Sequence, residues 1–521
     1  PERTHSCDGG QGQGNDRKVS FLIQNKLYFL CTFKKGYFMK TLKELLKDVQ
    51  VVETSCSGEI RILSVCIDSR KCEQSSLFVA ICGAKDDGHN FIERAVENGA
   101  RAVVCEKMPK LRQEGVIYFR VANTQIALAQ IARNFFDDPS SRLKLVGVTG
   151  TNGKTTTVTL LYHLFQKLGY KCGLISTVRN MIGDEEFLTT NTTPDSITLN
   201  ELLGDMIKAG CEYCFMEVSS HSVVQHRIDG LKFAGAVFTN LTHDHLDYHG
   251  TFEEYLKAKQ GFLNMLESDA FVLSNLDDEN AKVLDKNSKA VKRYFSLQSP
   301  ADFTAEIVNN SFDGLTLKID GDLTKTKLIG SFNAYNFLGI YGVAILLNQN
   351  KDKVLKILSE LDPVEGRFEH FKSKTGIVGI VDYAHTPDAV ENVLKTIRDI
   401  RRGNGKIITV IGCGGDRDST KRPIMAKISA ELSDALILTS DNPRSEDPMA
   451  IIEQMKKGLD DGVMQKTSIF ADRREAIKEA CSTASSGDII LLAGKGHETY
   501  QEIKGIKHHF DDMEELRKCL K

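Results

Sequence analysis

Nowhere among the 521 residues does an uninterrupted apolar run approach the ~20 needed to cross a bilayer, so insertion as a membrane helix is not expected. Neither sign of charge prevails. Lys plus Arg is 67 against 70 for Asp plus Glu, a net charge of -3 with a pI near 6.6, and no global field draws the chain to nucleic acid or anionic lipid. The dense, even cysteine set that staples small secreted domains is missing too. The 13 cysteines are an odd number spread from Cys7 to Cys519, and read as reduced thiols of a cytoplasmic protein. Cys211 and Cys214 have CxxC spacing, but no second pair stands near them and Cys214 opens an apolar run, which favours structural burial over metal or redox use. Short-period repeats and low-complexity linkers are also absent, so packed blocks joined by brief hinges are expected.

What is present is the composition of ordinary folded domains, 41% hydrophobic and 26% charged. At roughly 100–200 residues per domain, the length accommodates about three to four domains. Residues 1–38 do not match the rest. They lack both the unbroken apolar centre and the cleavage site of a secretory signal, and they carry too many acids and too little Ser for a transit peptide. They read as an artefactual or disordered extension, with the natural domain expected from Met39. Short apolar segments at 62–67, 77–81, 102–105 and 116–121, with a helix at 90–99, predict a small α/β domain over 39–140. From Leu143 the pattern changes to buried strands at 143–148, 172–176, 214–218, 236–241 and 270–276 with helical text between them, as in parallel βαβ units over 141–365. A second doubly wound, Rossmann-like unit is expected over 366–521, from strand text at 377–381, 407–411, 435–439 and 489–492.

The strongest local signal is Gly150-Thr151-Asn152-Gly153-Lys154-Thr155-Thr156, where an apolar strand turns into a helix. Glycines let backbone N–H groups approach an anion, Lys154 can reach terminal phosphates, and the Thr155 hydroxyl can enter a Mg²⁺ shell. Val148 occupies the first glycine position of the usual G-x-x-x-x-G-K-[ST] spacing. Glu217 ends the next buried strand, where a P-loop domain places a second metal-holding acid. The run Asn240 to Gly250 packs His243, His245 and His249 with Asp244 and Asp247. No cysteines complete a tetrahedral zinc set there, so loop hydrogen bonding is expected for most of the run. One histidine, taken as His249, is expected to reach the magnesium–phosphate region.

In the last block three loops follow strand ends: Gly412-Cys413-Gly414-Gly415-Asp416-Arg417, Asp441-Asn442-Pro443-Arg444 and Gly494-Lys495-Gly496-His497-Glu498. Loops after parallel strands converge on one crevice, and two arginines with carboxylates suit a zwitterion bearing an extra carboxylate. The alternative reading is solvated surface loops.

In order along the chain, the Gly150 to Thr156 turn, Glu217-Val218-Ser219-Ser220-His221, the Asn240 to Gly250 run, Tyr255-Leu256-Lys257-Ala258-Lys259, Asn333-Ala334-Tyr335-Asn336 and Gly366-Arg367 resemble the ATP-dependent Mur ligases of peptidoglycan synthesis. The likeness runs from Ile60 to Glu502. It implies a three-domain α/β architecture: a UDP-sugar-binding domain at 39–140, an ATP-binding P-loop domain at 141–365 and an amino-acid-binding domain at 366–521. Within the family, the run Ser440 to Pro448 looks like that of members adding meso-2,6-diaminopimelate to a UDP-muramoyl dipeptide. The resemblance assigns ATP to the Gly150–Thr156 turn with Asn333, Asn336, Arg367 and Asp382. Asn333 and Asn336 read equally as ordinary helix capping. Ser69, the loop from Gly83 to Gly88, Asn191, Thr192, Thr193, Ser219, Gln225 and Arg227 would hold the nucleotide sugar. Arg417, Asp441, Asn442, Pro443, Arg444, Gly494 and Glu498 would hold diaminopimelate. Lys154, Glu217, His249 and Lys259 would be catalytic. Mg²⁺ would be shared by Thr155, Glu217, His249 and Lys259, the last as a CO₂-derived carbamate, with Lys257 competing for that assignment.

The implied chemistry is amide formation through an acyl phosphate by a monomer acting on small molecules, with the third block closing on the second about Gly366. A folylpolyglutamate synthetase, a lysine-adding ligase and a non-catalytic relative are the alternatives.

Overall fold

The computed structural model describes residues 39–520 apart from 56–57, 84–85, 190, 243 and 402, so the expectations for 1–38 and for His243 lie outside the described residues. The chain divides into two compact units, 1–136 and 137–521. In the first, a five-stranded sheet runs in the order Val51–Thr54, Ile117–Val121, Ala100–Cys105, Ser76–Val79, Ser64–Cys66. Only Val51–Thr54 is antiparallel to its neighbour. The helices Ile92–Glu97 and Thr124–Phe135 complete an α/β domain, and the Asn123 side chain caps the second by accepting from Gln125 N and Ile126 N.

The second unit carries two large sheets and a two-stranded antiparallel hairpin, Tyr500–Ile503 with Ile506–His509. The larger has eleven strands, and its parallel centre runs Cys172–Ile175, Tyr213–Glu217, Lys144–Thr149, Gly235–Phe238, Phe271–Asn275, Val291–Ser296. Central parallel strands are covered on both faces, which is why these segments read as continuous apolar runs rather than alternating ones. One cover is Ser331–Leu346, whose buried side chains occur all around the helix. The smaller sheet has the order Glu369–Lys372, Val378–Asp382, Ile489–Ala493, Ile407–Cys413, Ala435–Ser440, Thr467–Phe470, parallel except at its first strand. Helix Pro387–Ile400 buries Val390, Val393, Leu394 and Ile397 on one stripe. Proline at its first position and the Thr386 hydroxyl accepting from Ala389 N start it cleanly.

The larger sheet is not parallel throughout. Asn180–Ile182 and Glu185–Phe187 add a hairpin at one edge, and Phe303–Ser311, Gly314–Ile319 and Asp322–Thr326 form an antiparallel wing at the other. The turn at Asp320-Gly321, with φ of 50° and 90°, has the two left-handed residues that match strand twist in a tight hairpin.

Two glycines meet where the chain enters the smaller sheet. Gly366 (φ 64°) lies against the backbone of Gly496 and His497, and a Cβ there would stand 2.0 Å from His497 N. Gly496 (φ 52°) returns the contact: its Cβ would stand 2.6 Å from Tyr383 Cβ and 2.8 Å from the Gly366 carbonyl oxygen.

Candidate functional site

Register decides where the chemistry converges. Val148 pairs with both Glu217 and Val237, so the carboxylate at the end of one strand stands beside the turn that leaves the next. Gly150 makes that turn possible, because a Cβ on it would meet Thr239 Oγ1 at 1.9 Å. The loop is then tied to the neighbouring strand end: Thr151 N donates to the Asn240 carbonyl (2.8 Å) and Asn152 N to Asn240 Oδ1 (2.9 Å). Thr239 Oγ1 donates to the Asn152 carbonyl at 2.6 Å.

Helix Lys154–Lys167 begins at Gly153 (φ 87°), pointing its free N–H groups into a cavity of about 790 Å³. Lys154 Nζ donates to the carbonyls of Gly150 (2.9 Å) and Thr151 (2.7 Å). Loss of solvent pulls its pKa below the usual lysine value, opposed by the carboxylates of Glu217 and Asp244. Thr155 Oγ1 donates to Glu217 Oε1 at 2.9 Å, and Thr177 adds its N–H (2.8 Å) and its hydroxyl (3.2 Å) to the same carboxylate. A hydroxyl and a carboxylate, both hard oxygen donors on the cavity wall, are the groups that suit Mg²⁺. Among the described residues no group of three or more His, Cys, Asp or Glu is arranged to hold a metal, so further oxygen ligands would have to come from substrate or water.

Lys259 projects from helix Phe252–Asn264 into the same cavity. It is 1% exposed, donates to the Gly150 carbonyl at 2.8 Å and lies 4.7 Å from the Tyr255 ring centre. Burial, reinforced by Lys154, holds its pKa well below that of an ordinary lysine. Lys257, by contrast, is exposed and pairs with Glu253 and Glu254.

Asn333 donates to the Ile329 carbonyl (2.8 Å) and Asn336 to Asn333 Oδ1 (3.0 Å). The N-cap of their helix is Gly330, and neither asparagine caps it. Asn336 instead stands over Gly153, where a Cβ would meet its Oδ1 at 2.4 Å. From the smaller sheet, Arg367 Nη2 donates to Thr155 Oγ1 (3.1 Å), and its guanidinium lies 4.6 Å from the Tyr383 ring centre. The buried Arg367 Nε has no partner. Asp382 accepts from Phe368 N at 2.7 Å, and its carboxyl is pushed up to about 6 by burial, against the pull of Arg367. Asp388 bridges the two sheets by accepting from Asn152 Nδ2 (2.8 Å) and Thr242 Oγ1 (3.0 Å).

The far wall is built by the three loops of the smaller sheet. Asn442 Nδ2 donates to Glu498 Oε2 at 2.7 Å, and the fully buried Lys495 donates to Asn442 Oδ1 and Glu498 Oε2, each at 3.3 Å. Gly494 (φ 113°) lets the chain pass Asp441, whose Oδ2 would be 2.7 Å from a Cβ. Burial and the neighbouring Asp441 raise the Glu498 pKa. Arg444 adopts φ 51° and donates from Nη1 to the Gly415 carbonyl at 2.7 Å, and Arg417 lines the wall beside it.

Of the individually named residues to which the resemblance gives a binding, catalytic or metal role, all but Ser69, Gln225, His249 and Pro443 line this one cavity. Gln225 accepts from Arg227 Nη2 (2.6 Å) and so steadies a residue that does line it. His249 Nε2 stands 2.9 Å from Ser220 Oγ and is linked to the wall through that serine. From its run, Asp244 and His245 are the titratable groups in the lining, beside Asn240, Thr242 and Leu246. Pro443 contributes a carbonyl that accepts from Glu446 N. Ser69 belongs to the first unit, where Asp68 caps its short 3₁₀ turn and the Ser69 carbonyl accepts from Asn98 Nδ2 at 2.9 Å. Residues 84–85 of the nearby Gly83 to Gly88 loop lie outside those described. Thr177 and Asp388 are cavity groups that motif reading missed, whereas Asp244 and Lys495 stand inside quoted motifs that gave them no individual role. Of the two missed, Asp388 has a legible signal, the Thr-Pro helix start before it.

Three family descriptions match the chain: "Mur ligase family, catalytic domain" over residues 61–136, "Mur ligase middle domain" over 148–344 and "Mur ligase, glutamate ligase domain" over 366–496. The UDP-N-acetylmuramoyl-L-alanyl-D-glutamate–2,6-diaminopimelate ligase of Cytophaga hutchinsonii is 52% identical over 480 residues, 92% of this chain and 99% of that protein. A solved structure of a ligase of the same name superposes with a TM-score of 0.66 at 32% identity, covering 92% of this chain and 99% of the other. The MurF ligase of Thermotoga maritima, solved in complex with ADP, has a TM-score of 0.60 at 20% identity over 88% of this chain and 96% of its own, a likeness of fold.

Proposed function

The chain belongs to the Mur ligase family, and from that premise we propose that it joins the amino group of meso-2,6-diaminopimelate to the D-glutamate side-chain carboxylate of UDP-N-acetylmuramoyl-L-alanyl-D-glutamate, driven by ATP, in peptidoglycan synthesis. The observation that carries this reading is the single cavity in which a phosphate loop faces paired arginines and carboxylates. Residues 39–140 take the UDP sugar, 141–365 take ATP and 366–521 take the amino acid. The enzyme is a cytoplasmic monomer contributing to cell-wall growth and division, and the ten free cysteines among the described residues are compatible with a reducing compartment.

In the first step the D-glutamate carboxylate attacks the γ-phosphoryl group of ATP, giving an acyl phosphate and ADP. The diaminopimelate amine then attacks the acyl carbon, inorganic phosphate leaves and the amide remains. The loop N–H groups and Lys154 orient the polyphosphate and offset its charge, so positioning and electrostatics supply the acceleration rather than a protein nucleophile. Thr155 and Glu217 would hold Mg²⁺, which supplies charge neutralisation at the transferring phosphoryl group. Lys259, its pKa lowered by burial, would add CO₂ through its neutral amine, and the carbamate would bring a further anion to the same region. Asn333, Asn336, Arg367 and Asp382 border the nucleotide, and Asn191, Thr192, Thr193, Ser219 and Arg227 approach the muramoyl peptide.

The deciding assay combines the purified chain with ATP, Mg²⁺ and the UDP-muramoyl dipeptide, and adds meso-diaminopimelate or L-lysine. Phosphate release with amide product only from diaminopimelate is expected; product only from lysine would refute the assigned amino acid. Arg444, whose guanidinium donates to the Gly415 carbonyl and lies 3.8 Å from Glu502 Oε2 at the far wall, is expected to pair with the distal carboxylate. Arg444→Ala should raise the KM for diaminopimelate by at least about 30-fold, equivalent to ~2 kcal/mol, and leave that for ATP in place. An unchanged KM for diaminopimelate removes Arg444 from the site. Ligands are also expected to draw the smaller sheet toward the larger about Gly366. Equal radii of gyration with and without substrates, measured by small-angle scattering, would argue against closure.

A further inference from the structure

Arg422 is a buried cation that takes no part in the cavity lining. It sits at the start of helix Lys421–Leu432, is 1% exposed, and meets Glu446 as a fork: Nη1 to Oε2 and Nη2 to Oε1, both 2.8 Å. The same guanidinium donates to the Gly414 carbonyl (3.0 Å) and to Gln454 Oε1 (2.7 Å). Glu446 in turn accepts the N–H of Asp416. One ion pair therefore grips both sides of the far wall. Gly414 and Asp416 directly precede Arg417, and Glu446 follows Arg444 by two residues.

The two loops are held in conformations that side chains avoid. Asp416 has φ 54° and Arg444 has φ 51°, and non-glycine residues persist there only when surrounding contacts fix them. Those contacts run through the clasp and its neighbours, including Ser445 Oγ on Asp416 Oδ1 and Arg444 Nη1 on the Gly415 carbonyl (2.7 Å). The guanidinium holds the Glu446 carboxyl down at about 2, so the pair stays charged across the physiological range.

We propose that the Arg422–Glu446 clasp is a specificity-determining positioning pair: it sets the separation of Arg417 and Arg444, and with it the preference for an amino acid carrying a distal carboxylate over a plain diamino acid such as lysine. This rests on the ligase reading above. A planar fork fixes orientation as well as charge, which lysine at position 422 or an amide at 446 cannot reproduce.

The test uses the full chain with Arg422→Lys and, independently, the milder Glu446→Gln, where the side chain is 30% exposed. Initial rates are measured with meso-diaminopimelate and with L-lysine, alongside KM for ATP and for the UDP-muramoyl dipeptide, with a thermal melt of each protein. The expected result is a KM for diaminopimelate raised roughly tenfold, a reduced diaminopimelate-to-lysine preference, and the other two KM values within about twofold of wild type. Unchanged diaminopimelate kinetics in both variants would overturn the clasp. So would loss of folding in both, or all KM values rising together, since either assigns the pair to stability alone. A wild-type chain with no diaminopimelate-dependent phosphate release would overturn the underlying ligase reading instead, before any variant is compared.

Discussion

Lys154→Met should lower ATP-dependent phosphate release by about 10²–10³-fold, the range seen when one preorganised donor to developing charge is removed. Its ammonium rests on two carbonyls of its own loop, Gly150 and Thr151, close to where the polyphosphate would lie. Methionine keeps the length and loses the charge. The variant should nevertheless fold at least as well as wild type at pH 7. Lys154 has a folded-state pKa below its unfolded one, so the charged form is disfavoured by folding. That cost is fully present at pH values below the depressed pKa and fades as pH rises toward 10.5, where the unfolded lysine also loses its proton. Melting temperatures of the two proteins should therefore converge as pH is raised. Full turnover by the variant would remove Lys154 from the phosphate site.

A loss of similar size, about 10²-fold or more, is expected for Lys259→Met. Adding CO₂ to an amine requires the neutral form, which burial beside Lys154 favours by lowering the Lys259 pKa. The nitrogen bonds to the CO₂ carbon, one proton leaves, and a buried cation site becomes an anion facing Lys154. Wild-type protein equilibrated with ¹³C-bicarbonate should show a carbamate resonance that the variant lacks. The resonance should fade as pH falls through the depressed pKa, because protonation removes the nucleophile. Wild-type activity in the variant, or no carbamate signal at high bicarbonate, would refute this role.

The legible part of the site is what lies close in sequence or at strand ends. Lys154 and Thr155 sit at a strand-to-helix turn, and Glu217 ends an apolar run, so the pattern alone brings all three to one cavity wall. Arg422 could not be found this way. It stands in Lys421-Arg422-Pro423 at a helix start, where a solvated charge is the usual case, and its partner is 24 residues on. Which histidine of the Asn240 to Gly250 run approaches the cavity was not legible. His245 takes φ 55°, and this left-handed turn puts Asp244 and His245 at the wall while His249 contacts Ser220. The antiparallel wing was signalled by Asp313-Gly314 and Asp320-Gly321, but the alternating text around them is short beside the long parallel runs that set the fold class.

The paired glycines at 366 and 496 carry a consequence for anyone evolving this chain toward a new amino acid. A Cβ at 366 would meet the backbone of His497 and Gly496, and one at 496 would meet Tyr383 and the Gly366 carbonyl, so neither change is repaired by shrinking a single side chain. In a saturation library selected for ligase activity, both columns should stay blank however large the library. New specificities would have to be sought among the loops, with the two glycines left as they are.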